Sequence, residues 1–321
     1  MSATKTIIVA LPTLTAAVLL LYLLNIITKF YIIRFYIIKV DTMSANLSSQ
    51  DFWKNPDVVT RYATGGNQVQ QARFFQSAPW LAKYPINKGE TIVDIGAGTG
   101  EITMLFATVN GAGQNYAVDY SDAMVSVAHR KIARAKISNL QVWTSDATQL
   151  KLPTEERTVN RMISFSAIHW FPNLQGFIEG VNKYLAPGGI FFFRYAGCKG
   201  DETLELAEKL SKDEKWQKKF ERFICPMHAH SPETMQITIE KVGLVWEEAH
   251  IWKNTETFDN EDGYKTYVAG WLPHLYHLQG QDREDFLNTV VKTHCARPDR
   301  NKNGEITVLD TQVKITGSKP S

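Results

Sequence analysis

Between residues 91 and 196 short apolar runs alternate with longer amphipathic stretches, and this alternation predicts an α/β sheet of parallel strands. The runs are Thr91–Ile95, Gln114–Asp119, Leu140–Thr144, Arg161–Phe165 and Ile190–Tyr195. Each is short and apolar, as strands covered on both faces should be. Helices are expected after Gly100, Ser121 and Pro172, the second capped by Ser121 or Asp122 with Met124 pointing back. Leu185-Ala186-Pro187-Gly188-Gly189 should end a helix and launch the fifth strand. A long insertion then runs to about Ser231. Val245–Lys253 and Ile306–Thr316 read as the last two of seven strands, an antiparallel pair. Glu261–Thr293 between them reads as helix, its apolar face carrying Trp271, Leu272, Leu275, Leu278, Phe286 and Val290.

The N-terminal part follows a different pattern. Ile7–Thr28 carries no charge and is long enough to cross a hydrocarbon core of ~30 Å. Tyr22, Phe30, Tyr31, Phe35 and Tyr36 supply interfacial aromatics, and Lys29, Arg34 and Lys39 place the following bulk on the cytosolic side. Residues 1–42 are therefore expected to be a membrane anchor with linker, and 43–321 one catalytic domain. Within that domain the core spans 85–196, and a substrate cap with the last strands spans 197–321. Were Met43 the start, the protein would be cytoplasmic. Phe52–Tyr84 reads as aromatic helix bearing the polar residues Asn67, Gln70 and Gln71.

Composition narrows the function classes. A net charge of +2 over 321 residues, with no basic stripe, excludes a nucleic-acid footprint. Three widely spaced cysteines form no C-x-x-C pair and point to a reducing compartment. Cys225, His228 and His230 cluster, but no second ligand cluster accompanies them, so no metal is expected. No G-x-S-x-G nucleophile motif is present.

The chemistry gathers around Thr91–Glu101, TIVDIGAGTGE. It combines a strand, a glycine turn and a helix start, the layout of a nucleotide-type site. The spacing is not G-x-G-x-x-G, and no G-K-[ST] follows. Asp119, about twenty residues on, is placed to accept both hydroxyls of a ribose. Asp146 follows the third strand. Ser164–Phe171, SFSAIHWF, falls at the C-terminal end of the fourth, where open α/β sheets bind ligands.

The spacing D-x-G-x-G-x-G resembles motif I of the class I S-adenosylmethionine (SAM) methyltransferases. DIGAGTGEIT, VDYSDAMVSVA, SFSAIHWFPN and YLAPGGIFFF together resemble a subgroup of small-molecule carboxyl methyltransferases. That subgroup includes the juvenile hormone acid, trans-aconitate and malonyl-carrier-protein enzymes. The resemblance covers about Phe52–Thr316 and implies a Rossmann-like seven-stranded sheet, mostly parallel with the last strand antiparallel, under N-terminal lid helices. It implies SAM as methyl donor, held by Asp94, Gly96, Ala97, Gly98, Thr99 and Gly100. Asp119, Tyr120, Ser121 and Met124 would follow on the second strand and helix. Asp146 would read the adenine amino group beside Ala147, with Ser164 and Phe165 completing the site. Asn67, Gln70, Trp170 and His228 would bind the acceptor, and His169 and Trp170 would act at the reacting group; Lys215-Trp216 matches a further family trait. The chain departs from the family in its membrane-like N-terminus and in Ala97, where a Cys is common.

The expected function is methyl transfer to the carboxylate of a small or apolar acid, and a lipid-like acceptor would suit both the anchor and the aromatic pocket. Methylation of a lipid, quinone or sterol hydroxyl or carbon is the alternative enzyme, and an inactive SAM-fold scaffold the alternative class. A carboxylate is already ionised at neutral pH and needs no base. For a hydroxyl or amine acceptor His169 would be the natural base.

Overall fold

The computed structural model describes residues 49–65, 72–197 and 199–321. The uncharged run Ile7–Thr28, together with Asn67, Gln70, Gln71 and Cys198, lies outside the described residues. Among the described residues no helix is long and apolar enough to cross a membrane.

The five apolar runs form five parallel strands: β1 (Ile92–Ile95), β2 (Asn115–Asp119), β3 (Leu140–Thr144), β4 (Val159–Phe165) and β5 (Leu185–Ala196). The sheet continues with β6 (Val245–Phe258) and β8 (Glu305–Ser318), in the order β3-β2-β1-β4-β5-β8-β6. β8 lies between β5 and β6 and runs antiparallel to both. An eighth strand, the two-residue β7 (Asn301–Lys302), folds back on β8 as a hairpin. Pattern alone misses it because two residues show no alternation. The expected last pair is confirmed, and both strands run longer than their apolar patterns indicated. β5 also begins earlier, because Pro187-Gly188-Gly189 is absorbed into the strand.

The segment expected as one aromatic helix over Phe52–Tyr84 is interrupted. A 3-10 turn, Ser49–Lys54, leads into α1 (Pro56–Gly65), and a turn of helix at 72–75 precedes α2 (Ala78–Lys83). Pro56 and Pro79 each occupy a helix's opening turn, where the missing N–H costs nothing. α3 (Glu101–Asn110), α4 (Asp122–Ala135) and α5 (Leu174–Tyr184) start where the sequence placed them. Ser121 caps α4 by accepting from the Met124 N–H at 3.2 Å. The long insertion contains α6 (Glu202–Leu210) and ends at α7 (Pro232–Lys241). The helical region after β6 is three helices rather than one: α8 (Glu261–Trp271), α9 (His274–His277) and α10 (Gly280–Cys295). Pro273 and Gly280 break it.

Alternation along the strands sorts side chains onto two faces. Val93, Ile95, Phe191 and Phe193 face a core closed by Phe177 and Val181 of α5 and by Met235 and Ile239 of α7. On the other face Phe192 meets Trp80 of α2 at 4.6 Å, while α3 and α4 cover β2 and β3. Burying each such Phe is worth ~1.5–3 kcal/mol. A second core lies in the cap, where Trp216, Phe220, Tyr264, Leu272 and Phe286 pack together. Trp216 is buried there against Phe286 at 5.0 Å. Most of the apolar face expected over Glu261–Thr293 is buried in this core, and Trp271 lies at its edge.

Candidate active site

The strand order reverses between β1 and β4, and a crevice opens outside the carboxyl ends of these strands. It encloses about 570 Å³ and holds two different environments. Towards β1–β3 it is lined by Gly96, Gly98, Asp119, Met124, Asp146 and Ala147. Towards the cap, Trp53, Trp170, His228, Tyr267 and Trp271 form the wall.

The glycine loop explains itself locally. Gly96, Gly98 and Gly100 have φ of +75°, +57° and +84°, a region that side chains rarely enter. At Gly96 space is equally decisive, since a Cβ would lie 2.3 Å from that of Ala167. The Gly98 N–H donates to Asp119 Oδ2 at 2.8 Å, and the Ser121 N–H to Oδ1 at 2.9 Å. Two backbone bonds thus aim this carboxylate, and each oxygen keeps a second lone pair for a ligand. Burial raises the Asp119 pKa, against the opposing pull of the backbone N–H groups of Ser121, Gly98 and Tyr120. Asp146 is aimed in the same way, one oxygen accepting from the Thr148 N–H at 2.7 Å and its hydroxyl at 2.8 Å.

Of the residues expected to hold the donor, Gly96, Gly98, Asp119, Tyr120, Met124, Asp146, Ala147 and Phe165 line the crevice. Asp94, Ala97, Thr99, Gly100, Ser121 and Ser164 do not. All of these except Ala97 are buried. The Ser164 hydroxyl donates to the Ile95 carbonyl at 2.7 Å. Asp94 is 1% exposed and accepts from the Thr103 hydroxyl, while its other oxygen has no partner. Burial pushes its pKa up to about 7; Thr103 opposes the rise and Asp119 adds to it.

His169 and Trp170 lie on a 3-10 turn after β4, and both line the crevice. Trp170 stacks on Phe52 at 5.3 Å and meets Trp53 edge-on at 5.1 Å. The Ala196 N–H donates to His169 Nδ1 at 3.3 Å, so the ring's own hydrogen is on Nε2. Burial first, then the charges of Arg73, His230 and Arg194, push the His169 pKa down to about 3. The ring is therefore neutral at pH 7, a donor and not a base. The His228 N–H donates to the His169 carbonyl at 2.7 Å, which ties the cap loop to this turn. Ser166, also in the lining, has φ +56°, an uncommon conformation for a non-glycine residue.

Arg73, Asp201, Tyr267, Asp310 and Gln312 also line the crevice, and sequence reasoning did not single them out. They come from the 72–75 turn, the N-cap of α6, α8 and β8, and nothing in their local sequence marks them. No group of three or more potential metal ligands exists among the described residues, and Cys225, His228 and His230 do not form one.

The lining fits SAM. An aimed carboxylate at the end of β2 suits a ribose diol, one at the end of β3 suits an adenine amino group, and the glycine loop lets a ligand meet the main chain. Malonyl-[acyl-carrier protein] O-methyltransferase of Bacillus anthracis is 26% identical over 198 residues, 57% of this chain and 71% of that protein. Trans-aconitate 2-methyltransferase of Variovorax paradoxus is 23% identical over 164 residues, 50% of this chain and 57% of that protein. Among solved structures, Haemonchus contortus phosphoethanolamine N-methyltransferase 2 has the same fold (TM-score 0.55, 15% identity). The match covers 86% of this chain and 61% of that one. Residues 86–259 match the family described as "Methyltransferase domain", and the chain belongs to that family as a class I methyltransferase whose methyl donor is SAM.

Proposed function

We propose that this enzyme methylates the carboxylate of a small, largely apolar acid. The protonation state of His169 carries the reading. A hydroxyl or amine acceptor must lose a proton, and a buried imidazole with a pKa of about 3 is a poor recipient for it. A carboxylate arrives ionised. It needs a donor to hold one oxygen while the other attacks, and His169 Nε2–H is such a donor. Bound SAM supplies a methyl group on a sulfonium, an activated electrophile. The protein's contribution is proximity, alignment and exclusion of water. Trp170, Trp53 and Phe52 form an apolar wall against which the acid's carbon skeleton would pack. The acceptors named for two similar proteins, malonyl-[acyl-carrier protein] and trans-aconitate, both carry carboxylates, which supports the same class here.

The test is a labelled-methyl assay against short acids, fatty and isoprenoid acids, and lipid alcohols. Base-labile label on an acid, with kcat/KM flat from about pH 6 to about 9, is the expected result. Base-stable label on an alcohol, or a rate that climbs as a base of pKa near 7 deprotonates, would overturn it.

A further inference from the structure

Nothing in the methyl-transfer geometry above employs Arg73. Its side chain is 9% exposed, its Nε is buried without a partner, and it lines the crevice. Among the described residues its guanidinium makes no hydrogen bond and closes no ion pair. An unpaired guanidinium in such a place is costly, because burial strips its water without returning an anion. Burial lowers its pKa, but the fields of Tyr267, Glu256, Tyr62 and Asp310 outweigh that and leave it raised. Neither acid closes an ion pair with it: Asp310 accepts from the Gln312 amide through Oδ2 while its Oδ1 has no partner, and Glu256 accepts from the Asn254 amide at 3.0 Å.

Arg194 gives the contrast. It is 1% exposed, does not line the crevice, and is tied down. Its guanidinium donates to Gln76 Oε1 at 2.8 Å and to Ser166 Oγ at 3.3 Å, and stands 5.6 Å above the Trp252 ring. Burial and Arg73 together pull its pKa down to about 9. Of the two buried cations, one is structural and the other faces the ligand space.

We infer that Arg73 is a carboxylate anchor, its guanidinium fork taking a carboxylate of a ligand bound in the crevice. A planar fork of parallel N–H groups matches the two oxygens of a carboxylate. Both ligands of a carboxyl methyltransferase carry one: the amino-acid end of the donor and the acid of the acceptor. The position serves either. Tyr62, whose field reaches Arg73, is also the group nearest to where a Cβ of Gly98 would lie, 3.8 Å away, while His169 feels Arg73 from the acceptor side. The inference rests on the donor site described above.

Calorimetry with two nucleosides separates the sources. S-adenosylhomocysteine keeps the amino-acid carboxylate, and 5′-methylthioadenosine lacks it. If the donor supplies the group, Arg73→Met binds S-adenosylhomocysteine ~10- to ~100-fold more weakly and methylthioadenosine as the parent does. If the acceptor supplies it, both nucleosides bind unchanged. With S-adenosylhomocysteine saturating, a series of carboxylates from acetate to decanoate then raises the melting temperature of the parent but not of Arg73→Met. Arg73→Lys, which keeps the charge but not the fork, falls between parent and Met variant in either case. The anchor is overturned if both variants match the parent towards S-adenosylhomocysteine and every carboxylate, or if Arg73→Met weakens the two nucleosides equally. Parental protein that binds neither nucleoside would remove the donor site itself, and the anchor with it.

Discussion

The two ends of the crevice are built by different means. At the donor end one stretch of chain does nearly everything: β1, its glycine loop, α3, and the ends of β2 and β3. Each aimed group there is held by backbone a few residues or one strand away, as Asp119 is by the Gly98 and Ser121 N–H groups. The acceptor end is assembled from far-separated pieces. Trp53, His169, Tyr267 and Gln312 come from four elements spread over most of the chain. Local assembly suits a ligand shared by a whole family. Remote assembly leaves the acceptor free to change by substitutions that do not disturb the donor.

That division can be broken by experiment. The largest effect is expected at Asp119. A ribose held by Asp119 would lose two charge-assisted bonds in Asp119→Ala, each worth ~1.5–3 kcal/mol, so SAM binding should weaken by at least ~100-fold in a titration. Retained affinity would move the ribose elsewhere. A smaller change is expected at the other end, where Trp170→Ala deletes the ring stacked on Phe52. The acceptor KM should rise by ~10-fold with the affinity for SAM unchanged. A matching loss of donor affinity would show that the two ends are not separable.

Ligand binding should change least at an acid that reads as a site residue in the sequence but does not line the crevice in the structure. Asp94 has a folded pKa of about 7, above its unfolded value, so the native state binds the extra proton. Its favourable contribution is complete below about pH 4 and is lost as pH rises towards 7. Asp94→Asn should therefore gain stability on the parent by up to ~4 kcal/mol at pH 8 and little at pH 4, measured by urea unfolding. Equal effects at both pH values would mean that Asp94 is ionised throughout.

The same asymmetry governs what could be read from the sequence. The five parallel strands, the Ser121 cap and the three acids were legible because each follows from spacing within a few residues. The sequence could not separate the acids by role. Asp94 precedes Gly96 by two residues, yet a parallel strand buries both faces, and its side chain turns to Thr103 and does not line the crevice. Arg73, Asp310 and Gln312 carry no local signature at all. Asp310 and Gln312 reach the crevice through the sheet order that brings β8 beside β5, and no window of sequence contains that fact. Helix breaks at Pro273 and Gly280 were available as residues but were outweighed by a continuous apolar face.

One consequence of the strand order concerns time rather than space. β6 has no neighbour on β5 and pairs only with β8, which follows it by some fifty residues of cap. During synthesis, the donor half has all its strands once β5 has emerged, whereas β6 must wait for β8 to slot between it and β5. Asp310 and Gln312 ride on that late strand. A ribosome-bound chain would thus carry every strand beneath the SAM place before the strand that bears Asp310 and Gln312, which orders the emergence of the two ends by the direction of translation.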